Sequence, residues 1–279
     1  MSQPGVTRRQ AFERRQKRRS VLIALTSTVI VIGLVVALVP QTPGWYKVKR
    51  SFFDGAVLSD TFSKLLSAFT KDIQIFLWCA PCILIWGMTL AICRSVRTPA
   101  LFPLRLFAAA YTDIFRGIPV ILTILLVGFG VPGLGLGRPW NSPYLWGSVA
   151  LVLAYSSYVA EVFRAGIESV HESQRAGARS LGLSSGQTLR FVVLPQAVRR
   201  VIPPLMNDFV SLQKDVALIS LIGPIEILRQ AGIDKSKYAN FTPYVGAAII
   251  FLLLTIPETR FVDHLMTRER RRTSGTAVR

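Results

Sequence analysis

The segment Glu172–Pro195, ESQRAGARSLGLSSGQTLRFVVLP, determines the fold assignment of this chain. It is polar and basic, and apolar runs of sequence flank it on both sides. Gly182 is placed to end a first short helix in a left-handed C-cap, and Ser184 with Gln187 has the capping-box spacing that starts a second helix. The pattern predicts a structured, cationic helix-turn-helix between membrane segments, built to bind a partner on the cytoplasmic side.

The composition is typical of a protein that crosses a membrane several times. Of the 279 residues, 51% are hydrophobic, and the mean hydropathy is +0.43. A net charge of +18 is also found in nucleic-acid-binding proteins, but here the charges lie between uncharged runs of about 20 residues, which is the length that spans a bilayer core. Cys79, Cys82 and Cys93 fall in or at the end of one apolar run, so no disulfide framework is indicated.

Apolar runs predict an all-α fold, a polytopic membrane helix bundle of about six transmembrane helices. The first span, residues 21–39, follows a basic tail (1–20) and is long for a signal peptide; no A-x-A cleavage site follows it, which favours an uncleaved span. The other spans are predicted at residues 73–92, 117–131 (extending back toward Leu104), 144–160, 204–222 and 244–262. The organisation is then a tail (1–20), a first span (21–39), an outer loop (40–72), a core (73–265) and a basic C-terminal tail (266–279).

Basic residues indicate the orientation, because cytoplasmic segments of membrane proteins carry an excess of Lys and Arg. With the N-terminus inside, the inner segments hold 23 basic residues and the outer segments hold 9, while Lys214 lies within a span. The asymmetry is weaker at the first outer loop, which contains the basic residues Lys47, Lys49 and Arg50. The distribution predicts that both termini and the loop at residues 161–203 are cytoplasmic.

Sequence motifs argue against several enzyme classes. Neither a Walker A pattern nor His-Glu-x-x-His occurs, so no ATP hydrolysis, metal site or cofactor is predicted. Residues 128–133 match G-x-G-x-x-G, but they end a membrane span instead of joining a strand to a helix. Cys79 and Cys82 have C-x-x-C spacing without a thioredoxin-like pattern around them, which favours ordinary helix packing.

Charges inside apolar stretches are the candidate transport residues, because charges at membrane depth are costly and usually face a cavity or a partner. Lys214 and Asp215 lie together in the fifth span and either compensate each other or line a polar path for a small zwitterionic solute. Glu161, which follows Tyr155 and Tyr158 at the inner end of the fourth span, forms a second polar cluster.

A third polar segment surrounds Arg116. This residue either anchors the chain to lipid headgroups or belongs to the solute path. The Gly117-Ile118-Pro119 break that follows is able to expose backbone groups to a cavity, which membranes tolerate only where protein or water satisfies them.

Three sequence blocks resemble permease subunits of ABC importers for polar amino acids (histidine/arginine/glutamine/glutamate type). The blocks are residues 111–119, residues 160–167 and residues 194–215. The resemblance extends over about residues 70–265 and includes the spacing of the family's coupling loop, Glu-Ala-Ala, three residues, Gly, nine residues, Ile-x-Leu-Pro. Here Ala176 replaces the usual glutamate and Gly177 the first alanine, while Gly182 and Pro195 keep the family spacing.

The resemblance implies a fold like that of type I ABC-importer permeases and an ATPase-docking role for the loop. The residues concerned are Arg175, Ala176, Gly177, Ala178, Arg179, Gly182, Leu183 and Pro195. Loss of the glutamate removes one polar contact, which Arg175 and Arg179 are able to replace.

The resemblance also implies the function and the partners. The chain would be the membrane-spanning subunit, not the hydrolase, of an importer in the bacterial plasma membrane. It would work with two cytoplasmic ATPase subunits, a second permease subunit (the same or homologous) and an external solute-binding protein that delivers a polar amino acid. A stand-alone secondary carrier or channel is the alternative, followed by a membrane redox enzyme that uses Cys79 and Cys82.

Overall fold

The structure is a computed structural model that describes residues 8–96, 98–135 and 137–276. The extreme ends of the two predicted tails, residues 1–7 and 277–279, lie outside the described residues. The chain divides into two compact units, one that ends at Asp54 and one that begins at Gly55.

The part of the first unit that the structure describes contains two α-helices. Helix α1 (Arg8–Leu38) is followed by a short 3-10 turn, Val39–Gln41, and by α2 (Trp45–Phe52). Side chains across the predicted first span, residues 21–39, are exposed throughout. A helix with apolar side chains on every face is suited to contact with lipid.

The second unit is a bundle of nine α-helices within the described residues, and no strand occurs among those residues. The helices are α3 (Gly55–Ser95), α4 (Phe102–Gly117), α5 (Val120–Gly130), α6 (Pro143–Glu168), α7 (Glu172–Ser180), α8 (Ser185–Thr188), α9 (Leu194–Asp215), α10 (Ile227–Tyr238) and α11 (Thr242–Thr276). A π-helical turn, Leu189–Val193, joins α8 to α9, and a 3-10 segment, Val216–Ile222, continues α9. The predicted all-α membrane helix bundle is confirmed.

Among the described residues, four helical stretches are long and apolar enough to cross a membrane, or up to six if each of two bent helix pairs forms one span. The four are Arg19–Gln41, Trp45–Ser95, Pro143–Glu168 and Thr242–Thr267. The bent pairs are Pro99–Gly117 with Val120–Leu134 (106°) and Ser185–Ile222 with Ile227–Tyr238 (53°).

The predicted third span is divided into two helices at residues 117–119, where the sequence predicted a break. Helices α4 and α5 meet at a sharp bend, because Ile118 is extended and Pro119 lacks the N–H that would continue the helix. The helix of the predicted fifth span, α9, begins at Leu194, earlier than predicted, because Pro203 and Pro204 are accommodated inside it.

The predicted outer loop, residues 40–72, is mostly helical. It contains α2 and the first part of α3, whose 41 residues extend about 60 Å, roughly twice the thickness of a bilayer core. The prediction followed hydropathy alone, and Asp60, Lys64 and Lys71 lower the hydropathy of a stretch that is nevertheless helical.

Helix α6 lies at the centre of the bundle and packs against α3, α4, α5 and α9. Glycines make these contacts close. A Cβ atom at Gly87 of α3 would lie 2.7 Å from Val159 of α6. A Cβ atom at Gly166 of α6 would collide with Val201 of α9 and lie 3.2 Å from the carbonyl oxygen of Ala197. The missing side chain at Gly166 therefore sets the spacing between α6 and α9.

Replacing Gly166 with alanine tests this spacing. Overpacking of a filled core typically costs about 1–3 kcal/mol, so Gly166→Ala is expected to lower the thermal unfolding midpoint of the purified protein. Gly33→Ala on α1 is the control, because nothing lies within 4 Å of a Cβ atom there. Equal midpoints for the two variants would contradict the packing.

Candidate functional site

The basic segment between α6 and α9 has the predicted helix-turn-helix structure. Gly182 has φ +85°, and the turn that ends α7 is a Schellman motif: Leu183 N–H donates to the Ala178 carbonyl (3.2 Å) and Gly182 N–H to the Arg179 carbonyl (3.0 Å). Ser184 and Gln187 form the reciprocal capping box that starts α8. Both predicted caps are confirmed.

Two arginines attach this segment to the helices that carry it. Arg175 of α7 donates to the Ile167 carbonyl at the end of α6 (2.5 Å). Arg200 of α9 donates to the Ser169 carbonyl and to Ser169 Oγ (3.0 Å). Val193 is buried at the junction with α9. The segment is therefore fastened at its base to both α6 and α9.

Small residues and one apolar side chain lie exposed on α7 and its turn, among polar neighbours. Ala176 and Gly177 are exposed, and the side chain of Leu181 is 85% exposed at the tip. Leu183 is half-buried, and Pro195 is exposed at the start of α9.

The two basic residues of α7 both have hydrogen-bond partners. Arg179 donates to Ser185 Oγ (2.9 Å), and Arg175 holds the Ile167 carbonyl, while Ala178 packs inward. The prediction that these arginines replace the contact of the missing glutamate stays a prediction.

A hydrogen bond joins α6 to α9 inside the bundle. Tyr155 of α6, only 6% exposed, donates from its hydroxyl to Asp215 Oδ2 of α9 (2.8 Å). Tyr158 lies beside it, with ring centroids 6.0 Å apart, and is half-buried. Asp208, two turns before Asp215 on the same face of α9, has a buried Oδ2 without a hydrogen-bond partner.

Lys214 lies apart from this contact. Its side chain is exposed, and among the described residues it forms no ion pair with Asp215. The interpretation of these neighbours as a mutually compensating pair was therefore wrong: consecutive helical residues point in directions about 100° apart, and Asp215 turns toward Tyr155.

Glu161 is the centre of an ionic cluster at the loop-proximal end of α6. Its Oε2 lies 3.0 Å from Arg94 Nη1 of α3 and 3.8 Å from Arg116 Nη1 of α4. Arg164 Nε donates to both oxygens (3.1 Å), and Arg164 also pairs with the exposed Glu168. One carboxylate thus connects three helices, and the two predicted polar residues Glu161 and Arg116 meet here.

Several residues of these sites were not predicted from the sequence. Glu161, Arg164 and Glu168 have the i, i+3 and i, i+4 spacing of helical ion pairs, which could have been recognised. Arg94 is distant in sequence from Glu161, and no local pattern indicates the contact. Within the described residues no group of three His, Cys, Asp or Glu is placed to hold a metal ion, and Cys79, a free thiol, packs against the Ser148 carbonyl (3.6 Å).

Comparison with known proteins defines the class. Residues 83–271 match the family model described as "Binding-protein-dependent transport system inner membrane component". The chain is 31% identical over 214 residues to the probable glutamine ABC transporter permease protein GlnM of Bacillus subtilis (strain 168), covering 76% of this chain and 96% of the relative. It is 32% identical to the arginine transport system permease protein ArtQ of the same organism, over 62% of this chain and 77% of ArtQ.

A solved structure shows the same fold. The crystal structure of an amino acid ABC transporter with histidines aligns with a TM-score of 0.69 at 29% identity, covering 77% of this chain and 98% of that chain. The chain belongs to the family of binding-protein-dependent transport system inner membrane components. It is a permease subunit of an ABC transporter, in which a separate subunit hydrolyses ATP.

The ionic cluster predicts unequal effects of two neighbouring substitutions. Glu161→Gln leaves Arg94, Arg116 and Arg164 without their common anion, whereas Glu168→Gln removes one exposed pair of a kind worth about 0.2–1 kcal/mol. We expect Glu161→Gln to lower the thermal unfolding midpoint of the purified protein more than Glu168→Gln does. A larger effect of Glu168→Gln would refute the central position of Glu161.

Proposed function

We propose that this chain is the membrane-spanning subunit of an ATP-driven importer that moves a polar amino acid delivered by an external solute-binding protein. The attachment of the α7–α8 segment to both α6 and α9 carries the proposal, because these two helices also hold the buried polar contact Tyr155–Asp215. The names of the relatives, a glutamine and an arginine permease, support the polar amino-acid class.

The proposed assembly contains two copies of a cytoplasmic ABC ATPase and a second permease subunit, the same or homologous. Exposed Ala176 and Gly177 allow a partner groove to approach α7 closely, and Leu181 offers an apolar side chain at the tip. Closure of the ATPases would push α7. Because Arg175 and Arg200 tie the segment to α6 and α9, the push would reach both helices.

The proposed solute path follows the facing sides of α6 and α9. Tyr155, Tyr158 and Asp215 provide hydrogen-bonding groups for a zwitterion, and Asp208 adds an oxygen that has no partner. Lys214 is the exposed cation of this path. Glu161 lies about two turns along α6 from Tyr155, and Arg116 of α4 is close to it. The ion cluster that these two residues share would have to open for the solute to leave.

Disruption of the Gly182 turn tests the coupling segment. Because Gly182 has φ +85°, Gly182→Val strains the turn, and we expect weaker ATPase copurification and less solute-stimulated ATP hydrolysis with membrane insertion unchanged. Gly186→Val is the matched control, since Gly186 lies in the same segment without positive φ and with nothing within 4 Å of its Cβ position. Normal coupled transport by Gly182→Val would make the segment a simple connector.

Removal of the buried hydroxyl–carboxylate contact tests the path. Tyr155→Phe leaves Asp215 without its donor, and Asp215→Asn removes the charge while keeping the shape. Because a hydrogen bond to a charged group is worth about 1.5–3 kcal/mol, both are expected to reduce solute uptake about tenfold or more in proteoliposomes containing the complete transporter. Asp263→Asn, an exposed carboxylate of α11, controls for charge and should transport normally. If both path variants, at equal abundance, had wild-type uptake rates and apparent affinities, Tyr155 and Asp215 would not belong to the solute path.

We also propose that the protein lies in the bacterial plasma membrane with both termini and the α7–α8 segment cytoplasmic, as the distribution of Lys and Arg favours. With Cys79, Cys82 and Cys93 replaced by serine, Ser142→Cys should react with an impermeant thiol reagent in intact cells, and Ser185→Cys should react only after permeabilisation. Ser185 is exposed in the fold, and Ser142 is partly exposed. Labelling of Ser185→Cys in intact cells would reverse the orientation.

A further inference from the structure

Two carboxylates that the transport path does not use lie buried together at one end of the bundle. Asp72 of α3 is 1% exposed, and Glu226, the residue before α10, is 0% exposed. Asp72 lies about 33 Å along α3 from Arg94, a separation comparable to the thickness of a bilayer core. The carboxylates are therefore at the end of the bundle opposite the Glu161 cluster.

Both side chains cap the first turn of α10. Asp72 Oδ2 accepts from Ile227 N–H (3.2 Å), and the two Glu226 oxygens accept from Leu228 N–H (2.9 Å) and Arg229 N–H (2.7 Å). These contacts satisfy donors that a helix start leaves free. They also join α3 to α10, which are 155 residues apart in sequence at the Asp72–Ile227 contact.

One oxygen atom of the two carboxylates has no hydrogen-bond partner among the described residues. Asp72 Oδ1 is buried and has no hydrogen-bond donor among the described residues, and Asp72 Oδ2 accepts from the N–H of Ile227, the residue next to Glu226. Two ionised carboxylates in this position would repel each other, and both would lack the solvation that water provides. A proton on Asp72 Oδ1 removes one charge and supplies a donor to Glu226.

No cation compensates the pair within the described residues. Lys71 on α3 is exposed and donates to Gln74 (3.3 Å), and Arg229 on α10 is also exposed. Asp234, the other buried acid of α10, accepts from Gln230 (2.9 Å). Neutralisation by an arginine or lysine, as at Glu161, is therefore absent from this part of the described structure.

We propose that Asp72 and Glu226 share one proton, with protonated Asp72 donating to Glu226, and that this hydrogen bond positions α10 on α3. Helix α10 forms one wall of a cavity of about 720 Å³ whose lining includes Ser220, Arg229 and Tyr244. Loss of the proton at alkaline pH places two negative charges side by side and loosens this wall.

Infrared spectroscopy of the purified full-length protein in lipid nanodiscs tests the shared proton. The carboxylic acid C=O stretch of a protonated side chain is absent from ionised carboxylates. At neutral pH we expect the wild-type protein to show such a band that Asp72→Asn and Glu226→Gln lack and that the exposed control Asp263→Asn retains. Raising the pH should abolish the same band in the wild type, a result that requires no variant.

The pH dependence of thermal unfolding tests the positioning role. Deprotonation introduces a second buried charge, so the wild-type midpoint should fall at alkaline pH over the range in which the band is lost. Asp72→Asn keeps a neutral donor and acceptor and should lack this fall, whereas Asp72→Ala should be less stable at every pH. An undiminished acid band in Asp72→Asn, no acid band in the wild type at neutral pH, or identical pH profiles for wild type and Asp72→Asn would overturn the proposal.

Discussion

The arrangement of the bundle depends on the close contact between α6 and α9 at Gly166. Because Gly166 has no side chain, Val201 and the Ala197 carbonyl occupy the space beside α6. The same approach brings Tyr155 within hydrogen-bonding distance of Asp215. It also places the loop-proximal ends of both helices close enough to anchor one short helical segment. A bulkier residue at this position would push α6 and α9 apart and weaken all of these contacts at once.

Charge compensation differs along the length of the bundle. At the loop-proximal end, three arginines surround Glu161 and link α3, α4 and α6. In the middle, Asp215 is held by a tyrosine hydroxyl, a neutral donor that a polar solute can replace. At the far end, the two buried acids Asp72 and Glu226 cap the same helix start without a cation among the described residues, which is the reason for inferring a shared proton. Negative charge in the bundle is thus compensated by cations at the loop-proximal end, by a hydroxyl donor in the middle and by a proton at the far end.

The sequence predicted local features of the fold well, because they depend on spacing over a few residues. The positive φ of Gly182 and the Ser184–Gln187 capping box follow from such spacing. Helix boundaries were less predictable: hydropathy cannot show a helix that is longer than a bilayer core is thick, as α3 is, or the 106° angle at Pro119. Contacts between distant segments, such as Arg94 with Glu161 and Asp72 with Ile227, have no signal in one sequence, and the apparent Lys214–Asp215 pair arose from adjacency alone.

Transmission of the ATPase motion requires, as we propose, that the α7–α8 segment moves with α6 and α9 as one body. Pulsed electron paramagnetic resonance on the reconstituted transporter, with native cysteines replaced, measures this directly between spin labels at the exposed positions Ser180 (α7), Arg199 (α9) and Asp113 (α4). Addition of ATP with the solute-loaded binding protein should leave the Ser180–Arg199 distance unchanged and shift the Ser180–Asp113 distance. A Ser180–Arg199 distance that changes with nucleotide while Ser180–Asp113 stays constant would contradict the account.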